Sequence, residues 1–454
     1  MIRIANAAGF WGDSVAAPLR TVRATTLDFL TLEYLAELTM SILARQREKD
    51  SNAGYATDFL RVLDGLAGEL ALQPQLHVVT TAGGMKPPAC AAAAARVLCE
   101  AGLETTPLAT VDGDDLLPHL DHILAAAPLA HLDTGQPLGE LRHRVVAANA
   151  YLGAAPIAQA LAQQARIVIT GRVADASLTV GPAVARFGWQ WDQYDRLAAA
   201  SVAGHLIECG AQSTGGFYTH WPEIDLAAVG YPVAELQADG RLTLTKPEGT
   251  AGVVNRETVC EQLVYEIGDP ACYRTPDVDV DFRHVIVEET APNRVQVSGA
   301  RGLQPSDHYK VSLAYRDGYL ASSQMLVYGR DCLAKADACA EIVFAQLAAE
   351  GIEFADALVE KLGAGHAVPG VDQPPEGLRE VMLRITVRHE SRAAVERFAE
   401  MLVPLATSGP AGLAGYAALR PVVRPVFSYW PTLVPKDLLQ PRVQVKPAKD
   451  WAGA

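Results

Sequence analysis

The chain has no run of about eighteen apolar residues, the length that a helix needs to cross a bilayer, although half of its 454 residues are hydrophobic. Its first residues, Met1-Ile2-Arg3-Ile4-Ala5-Asn6, lack the apolar core of a secretion signal, so a cytoplasmic protein is expected. Positive charge is scarce: 38 Lys and Arg stand against 52 Asp and Glu, a net charge of −14. Such a balance repels phosphate backbones and anionic lipid, so neither nucleic acid nor membrane is expected as a partner, while a local arginine or backbone nest can still hold a small anion. Cysteine is sparse too. The seven (Cys90, Cys99, Cys209, Cys260, Cys272, Cys332, Cys339) are odd in number, dispersed and without a C-x-x-C pair, which argues against a disulfide scaffold and a zinc ribbon. The patterns G-x-G-x-x-G, G-x-x-x-x-G-K-[ST], G-x-S-x-G and H-E-x-x-H are all missing, which removes the dinucleotide, P-loop, nucleophile-elbow and zincin classes.

What is present is a rhythm of strand, glycine turn and helix. Strands are expected at Ile2 to Ala8, Leu27 to Leu32, His77 to Thr81, Leu108 to Val111, Val145 to Ala148 and Ile167 to Thr170, with helices at Ala89 to Ala101 and Pro156 to Gln164. Alternation of this kind predicts an α/β fold, a mainly parallel sheet with flanking helices. The length exceeds what one core supports, and past about residue 230 the strands come closer together. Strands are expected at Leu242 to Lys246, His284 to Val287, Arg294 to Val297, Lys310 to Tyr315 and Val381 to Arg388, a hairpin turn at Asp317-Gly318, and a helix over Ala334 to Glu350. The expected division is an α/β domain over 1–280 carrying the site and a smaller α+β domain over 281–454, with an extended Pro- and aromatic-rich tail from Arg420 to Pro447.

Chemistry is expected around residues 167–216. The run Ile167 to Thr170 breaks into Gly171-Arg172-Val173-Ala174-Asp175-Ala176-Ser177, a strand feeding a loop at its carboxyl end, where open α/β sheets place ligands. Arg172 suits a carboxylate or phosphate; alternatively it forms a structural ion pair with Asp175, or Asp175 caps the next helix. If Ser201 to Cys209 is helical, His205, Glu208 and Cys209 stand at i, i+3 and i+4 and share a face. They then make an acid/base couple, a nucleophilic thiol, a metal pair, or only a packed amphipathic face. Gln212-Ser213-Thr214-Gly215-Gly216 offers hydroxyls and free amides for an oxyanion, or is a plain turn into a strand Phe217-Tyr218-Thr219. Two further loops, Gly9 to Asp13 and Gly83-Gly84-Met85-Lys86, converge on the same edge if the sheet is parallel. Glu33, directly after a strand, is a further candidate acid, or with Glu37 a capped or solvated face. The loop Thr407 to Gly412, followed by Arg420 and Arg424, reads as a turn.

Seven segments in this order carry a resemblance: Ala8 to Asp13, Asp28 to Thr39, Thr81 to Gly84, Ala148 to Ala154, Ile169 to Ser177, Gly204 to Gly210 and Tyr265 to Pro270. Together they resemble the acyclic terpene utilisation protein AtuA family, as does the tail segment Tyr429 to Pro435. The resemblance implies a role in breakdown of citronellol-type terpenoids, whose intermediates travel as coenzyme A thioesters, without specifying a reaction. It also implies room for a small separate partner subunit, since some relatives carry an extra C-terminal domain.

The expected function is a catabolic enzyme acting on a branched or unsaturated carboxylate or its acyl-CoA thioester by acid/base chemistry, a lyase or hydratase. Catalytic candidates are Glu208, Cys209, Asp175 and His205. Substrate-binding candidates are Arg172, Ser177, Gln212, Ser213, Thr214, Gly215, Gly216, Gly83, Gly84 and Asp13. No redox cofactor is expected and metal binding is left open; coenzyme A is an expected option only as part of the substrate, and a homo-oligomer is expected. The alternatives are a non-catalytic scaffold subunit of a catabolic complex and a metal-dependent hydrolase.

Overall fold

The computed structural model describes residues 1–50, 52–368, 370, 376–416 and 421–453. Six strands occupy the first 170 residues: β1 (Ile2–Asn6), β2 (Phe29–Leu32), β3 (His77–Thr80), β4 (Pro107–Asp112), β5 (Val145–Ala150) and β6 (Ile167–Thr170). Seven shorter ones follow: β7 (Val233–Leu236), β8 (Leu242–Thr245), β9 (Tyr273–Arg274), β10 (Asp279–Asp281), β11 (Ile286–Ala291), β12 (Arg294–Ser298) and β13 (Arg301–Leu303). The last six are β14 (His308–Tyr328), β15 (Asp356–Leu362), β16 (Glu380–His389), β17 (Leu413–Tyr416), β18 (Arg424–Pro435) and β19 (Arg442–Pro447).

Ten strands form one sheet in the order β11-β12-β8-β7-β1-β2-β3-β6-β4-β19. The sheet is mixed, which corrects the expected mainly parallel one. Its centre, β1-β2-β3-β6-β4, is parallel, whereas β7, β8, β12 and β11 on one side and β19 on the other pair antiparallel. Connection length accounts for the β7–β8 and β11–β12 hairpins, while β1–β7, β8–β12 and β4–β19 pair antiparallel between strands far apart in the chain. β7 and β8 are joined by a tight turn closed by the Gln237 and Arg241 main chains, which permits only antiparallel pairing, while the parallel centre is joined through helices. Those central strands are buried on both faces, as continuous apolar runs require. β5 stands outside this sheet, and Tyr151 just after it donates its N–H to the Lys310 carbonyl at 2.9 Å.

Two compact units result, Met1–Ala314 with Tyr429–Ala454, and Tyr315–Ser428. This differs from the expected boundary at 280/281. Residues past 281 stay in the first unit because β12 satisfies the edge of β8 and β13 that of β10. The tail returns to it because β19 satisfies the edge of β4. In the second unit, β15-β16-β14-β17 is covered by the helices Cys332–Ala349 and Arg392–Met401, with Phe398, Val343 and Ile385 in its core.

Two local expectations fail. There is no hairpin at Asp317-Gly318: β14 runs through it, with Asp317 held by Arg388 at 2.9 Å and by the Ser428 hydroxyl. Gly318 has φ +82°, and a side chain there would meet the His389 carbonyl at 2.6 Å, so the glycine serves strand approach rather than a turn. Phe217 to Thr219 is not a strand; Phe217 has φ +59° and is 91% exposed. Among the described residues no helix is long and apolar enough to cross a membrane.

Candidate functional site

Because the central strands are parallel, their carboxyl ends share one edge of the sheet. Gly9, Glu33, Thr81, Asp114 and Arg172 stand within three residues of the ends of β1, β2, β3, β4 and β6 respectively. A cavity of about 710 Å³ opens in the first unit, and Asp13, Glu33, Arg172, Asp175, His205 and Glu208 line it. The volume suits a small organic ligand.

Glu33 is 3% exposed. Its Oε1 accepts the Thr81 hydroxyl at 2.8 Å and the Leu35 N–H at 2.7 Å, and the Arg172 guanidinium stands at 3.6 Å. Its Oε2 is buried with no hydrogen-bond partner among the described residues. Oxygens receiving donors keep the charge, so a proton on this carboxyl belongs on Oε2. Burial pushes Glu33 up to about 8, with the Asp175 charge adding to the rise and Arg172 opposing it.

Arg172 is 2% exposed. It donates to the Leu35 carbonyl at 2.8 Å, pairs with Asp175 at 3.1 Å and lies 4.1 Å over the Tyr151 ring. The structural ion pair is therefore present, and the N-cap position before the helix Ser177–Phe187 is held by Ala176 rather than by Asp175. The Lys310 ammonium lies 4.7 Å from the same Tyr151 ring.

The helix Tyr194–Ile207 brings His205 to the cavity, with Glu208 one residue past its end. It packs closely because Gly204 has no side chain; a Cβ there would stand 2.7 Å from the Ala176 Cα. His205 Nδ1 is 3.0 Å from Glu208 Oε1 and its Nε2 is 2.8 Å from the Gln262 carbonyl. Both ring nitrogens are engaged, leaving neither for a metal. Among the described residues no three His, Cys, Asp or Glu side chains gather as a metal would require. Glu208 Oε2, like that of Glu33, is buried without a hydrogen-bond partner among the described residues. Burial raises Glu208 to about 7 against the pull of His205. Burial disfavours charge on His205, but the Glu208 hydrogen bond and charge outweigh it and raise its pKa. Cys209 lines the cavity as a neutral thiol, because burial pushes it up to about 12.

Of the residues nominated from sequence, Asp13, Arg172, Asp175, His205, Glu208, Cys209, Gln212 and Gly216 line this cavity. Asp13 is a brace rather than an open anion, accepting the Gly9 N–H and the Tyr231 hydroxyl. Six others lie elsewhere. Gly83 abuts the Thr170 carbonyl and Gly84 packs on Leu43; Gly215 faces Ile224. Ser177 donates to buried Asp277, Thr214 donates to the Gly230 carbonyl, and Ser213 is buried. The Gln212–Thr214 turn thus turns its hydroxyls into the core, contrary to the oxyanion loop expected there. Arg420 and the side chain of Glu37 lie outside the described residues; Arg424 belongs to β18 in the second unit.

Sequence reasoning missed Tyr151, Lys310, Arg274 and Tyr273, which also line the cavity. Tyr151 sat inside a recognised segment, Ala148 to Ala154. Lys310 and Arg274 lie on strands far along the chain, and nothing local marks them.

No curated protein and no solved structure matches the chain. The family model of the acyclic terpene utilisation family protein AtuA matches residues 2–445. The chain belongs to this family.

Proposed function

We propose that the cavity is an acid/base active site for a small branched or unsaturated carboxylate or its coenzyme A thioester, working as a hydratase or lyase within acyclic terpene utilisation. The observation that carries this reading is the pair Glu33 and Glu208. Both are carboxyls at one cavity, each with one oxygen anchored and the other buried without a hydrogen-bond partner among the described residues. Most buried side-chain polar atoms are hydrogen-bonded, so an unpartnered oxygen on each of two carboxyls at one cavity supports a ligand-directed role.

Burial raises both carboxyls; the His205 partner favours the charged form of Glu208, which acts as base, while the Asp175 charge adds to the rise of Glu33, which acts as acid. In dehydration, Glu208 Oε2 takes the proton from the carbon next to the acyl group. The electron pair forms the carbon–carbon double bond, the C–O bond to the leaving hydroxyl breaks, and Glu33 Oε2 protonates that hydroxyl to give water. Hydration is the reverse. Negative charge developing on the acyl oxygen falls to the cationic side of the cavity, Lys310 and Arg274, with Arg172 contributing its buried charge. Keeping Glu33 protonated also removes a charge that would repel an anionic substrate.

The test is a panel of branched 3-hydroxy and 2,3-unsaturated acids, free and as coenzyme A thioesters, incubated with the purified protein and followed by mass spectrometry for loss or gain of water. Turnover of at least one pair by the wild type, lost in both Glu33→Gln and Glu208→Gln, is the expected result. Turnover that survives both substitutions refutes the assignment.

A further inference from the structure

Asp114 lies just past the end of β4, is 2% exposed and does not line the cavity, yet it holds two chain segments, at Arg172 and at Asn149-Ala150, that lead into its lining. Its Oδ2 accepts the backbone N–H of Arg172 at 3.0 Å and the side-chain N–H of Asn149 at 2.7 Å. Its own main-chain carbonyl accepts the Ala150 N–H at 2.9 Å. Asn149 ends two residues before Tyr151, whose ring lies against the Arg172 guanidinium. The Arg172 carbonyl is held in turn by the Leu152 N–H at 3.2 Å. Arg172 is therefore fixed on both sides of its α-carbon, by Asp114 before and by the Leu152 main chain after.

The same contact explains the glycine that precedes the arginine. A Cβ at Gly171 would stand 2.3 Å from Asp114 Oδ1, so any side chain there would evict the carboxyl. Elsewhere in a chain, Gly before Arg at a strand end needs only a turn; here it makes room for a specific acid. A buried carboxyl with no cation directly on it is costly and persists only where its hydrogen bonds are needed.

We infer that Asp114 is the positioning residue of the site: by clamping the main chain of Arg172 it sets where the guanidinium sits among Glu33, Asp175 and Tyr151. Its effect on chemistry passes through Arg172 to Glu33, whose proton Arg172 loosens while Asp175 and burial tighten it. The inference rests on the acid/base reading for its functional meaning, but its test needs no substrate.

Glutamate labelled with ¹³C at its carboxyl, with the Glu33 resonance assigned by its loss in Glu33→Gln, reports the Glu33 titration directly. Asp114→Ala should raise the Glu33 midpoint by about one pH unit or take it beyond the titration range, because Arg172 no longer opposes protonation. Asp114→Asn, whose amide oxygen still accepts from the Arg172 N–H, should restore it to within about 0.3 unit of the wild type. A folded Asp114→Ala protein with an unchanged midpoint overturns the inference. Should that variant not fold, the Arg172 amide proton decides. It should lie downfield and move with pH in the wild type, and stay downfield but lose that movement in Asp114→Asn. An Arg172 amide with no pH response in the wild type overturns the inference equally. Failure of the acid/base reading would appear separately, as full turnover by Glu33→Gln with these titrations unaltered.

Discussion

The imidazole of His205 bridges the Glu208 carboxyl and the main chain of Gln262, with Nδ1 3.0 Å from Oε1 and Nε2 2.8 Å from the carbonyl oxygen. A carbonyl only accepts, so Nε2 carries hydrogen whatever the charge on the ring. Nδ1 and Oε1 then share the remaining proton, as carboxylic acid with neutral imidazole or carboxylate with imidazolium. Glu208 Oε2 is left without a hydrogen-bond partner among the described residues. His205→Phe keeps a ring against Tyr273 and Phe282, whose centroids each lie 5.9 Å away, but removes the group that lowers Glu208. The limb of the pH–rate profile that reports the base should move to higher pH, and turnover at neutral pH should fall. An unmoved limb would separate His205 from the base.

Stability should decline as pH rises through neutrality, the reverse of the behaviour of a protein held by surface ion pairs. Glu33 is raised to about 8, and Glu208 and Asp114 to about 7, all by burial first. Ordinary carboxyls in the unfolded chain titrate near ~4. Between those limits the folded state holds protons that the unfolded state has released, so unfolding becomes easier with each step upward, levelling above about pH 8. His205, also raised, acts in the same direction. Carboxyls lowered by arginine partners, such as Asp281 and Glu350, stabilise the fold above about pH 4 and lose that contribution only as pH falls below it, so they do not affect this range. Calorimetry should find a higher melting temperature at about pH 5.5 than at about pH 8.5, with a shallower decline in Glu33→Gln. A melting temperature that climbs over that range contradicts the burial of these groups.

Cys209 should be dispensable for chemistry. Its thiol, pushed up to about 12, is neutral at physiological pH and a poor nucleophile. Cys209→Ala should keep turnover within about threefold of the wild type, and iodoacetamide near neutral pH should modify it slowly. Rapid alkylation coupled to inactivation would restore the nucleophilic role.

Gly9→Ala probes how closely the loops after β1 and after Glu208 approach. A Cβ there would meet the Gly210 nitrogen at 2.8 Å and the Cys209 carbonyl carbon at 3.0 Å, both backbone atoms that cannot rotate away. Overpacking of this kind costs about 1–3 kcal/mol, read as a lower denaturation midpoint in urea. Asn6, whose amide donates to the Ile207 and Glu208 carbonyls from the same side, anchors the other half of that approach.

Local patterning made the central fold legible. Apolar runs bounded by glycine located β1, β2, β3, β4 and β6, since strands buried on both faces need little beyond that composition. The antiparallel flanks were not legible as one sheet with them, because edge pairing is decided by which distant strand offers free N–H and C=O groups, as β19 does for β4. In the site, His205 and Glu208 were readable from helical spacing, a local property. Glu33 was legible only as an acid after a strand, and Asp114 not at all: what distinguishes them is burial and partners contributed by segments far away in the chain. The hydroxyls of Ser213 and Thr214 misled for the converse reason. A polar residue in a glycine-rich loop looks available, but the fold turned both inward.

The most direct test of the acid/base account separates its two carboxyls. Hydrogen exchange into the carbon next to the acyl group of the substrate pair identified by mass spectrometry, measured in deuterated buffer, reports the base alone, while loss of water needs the acid as well. The account predicts that Glu208→Gln loses both, falling by about 10²–10⁴-fold, whereas Glu33→Gln continues to exchange the hydrogen and fails to release water. Exchange at the wild-type rate in Glu208→Gln would contradict it.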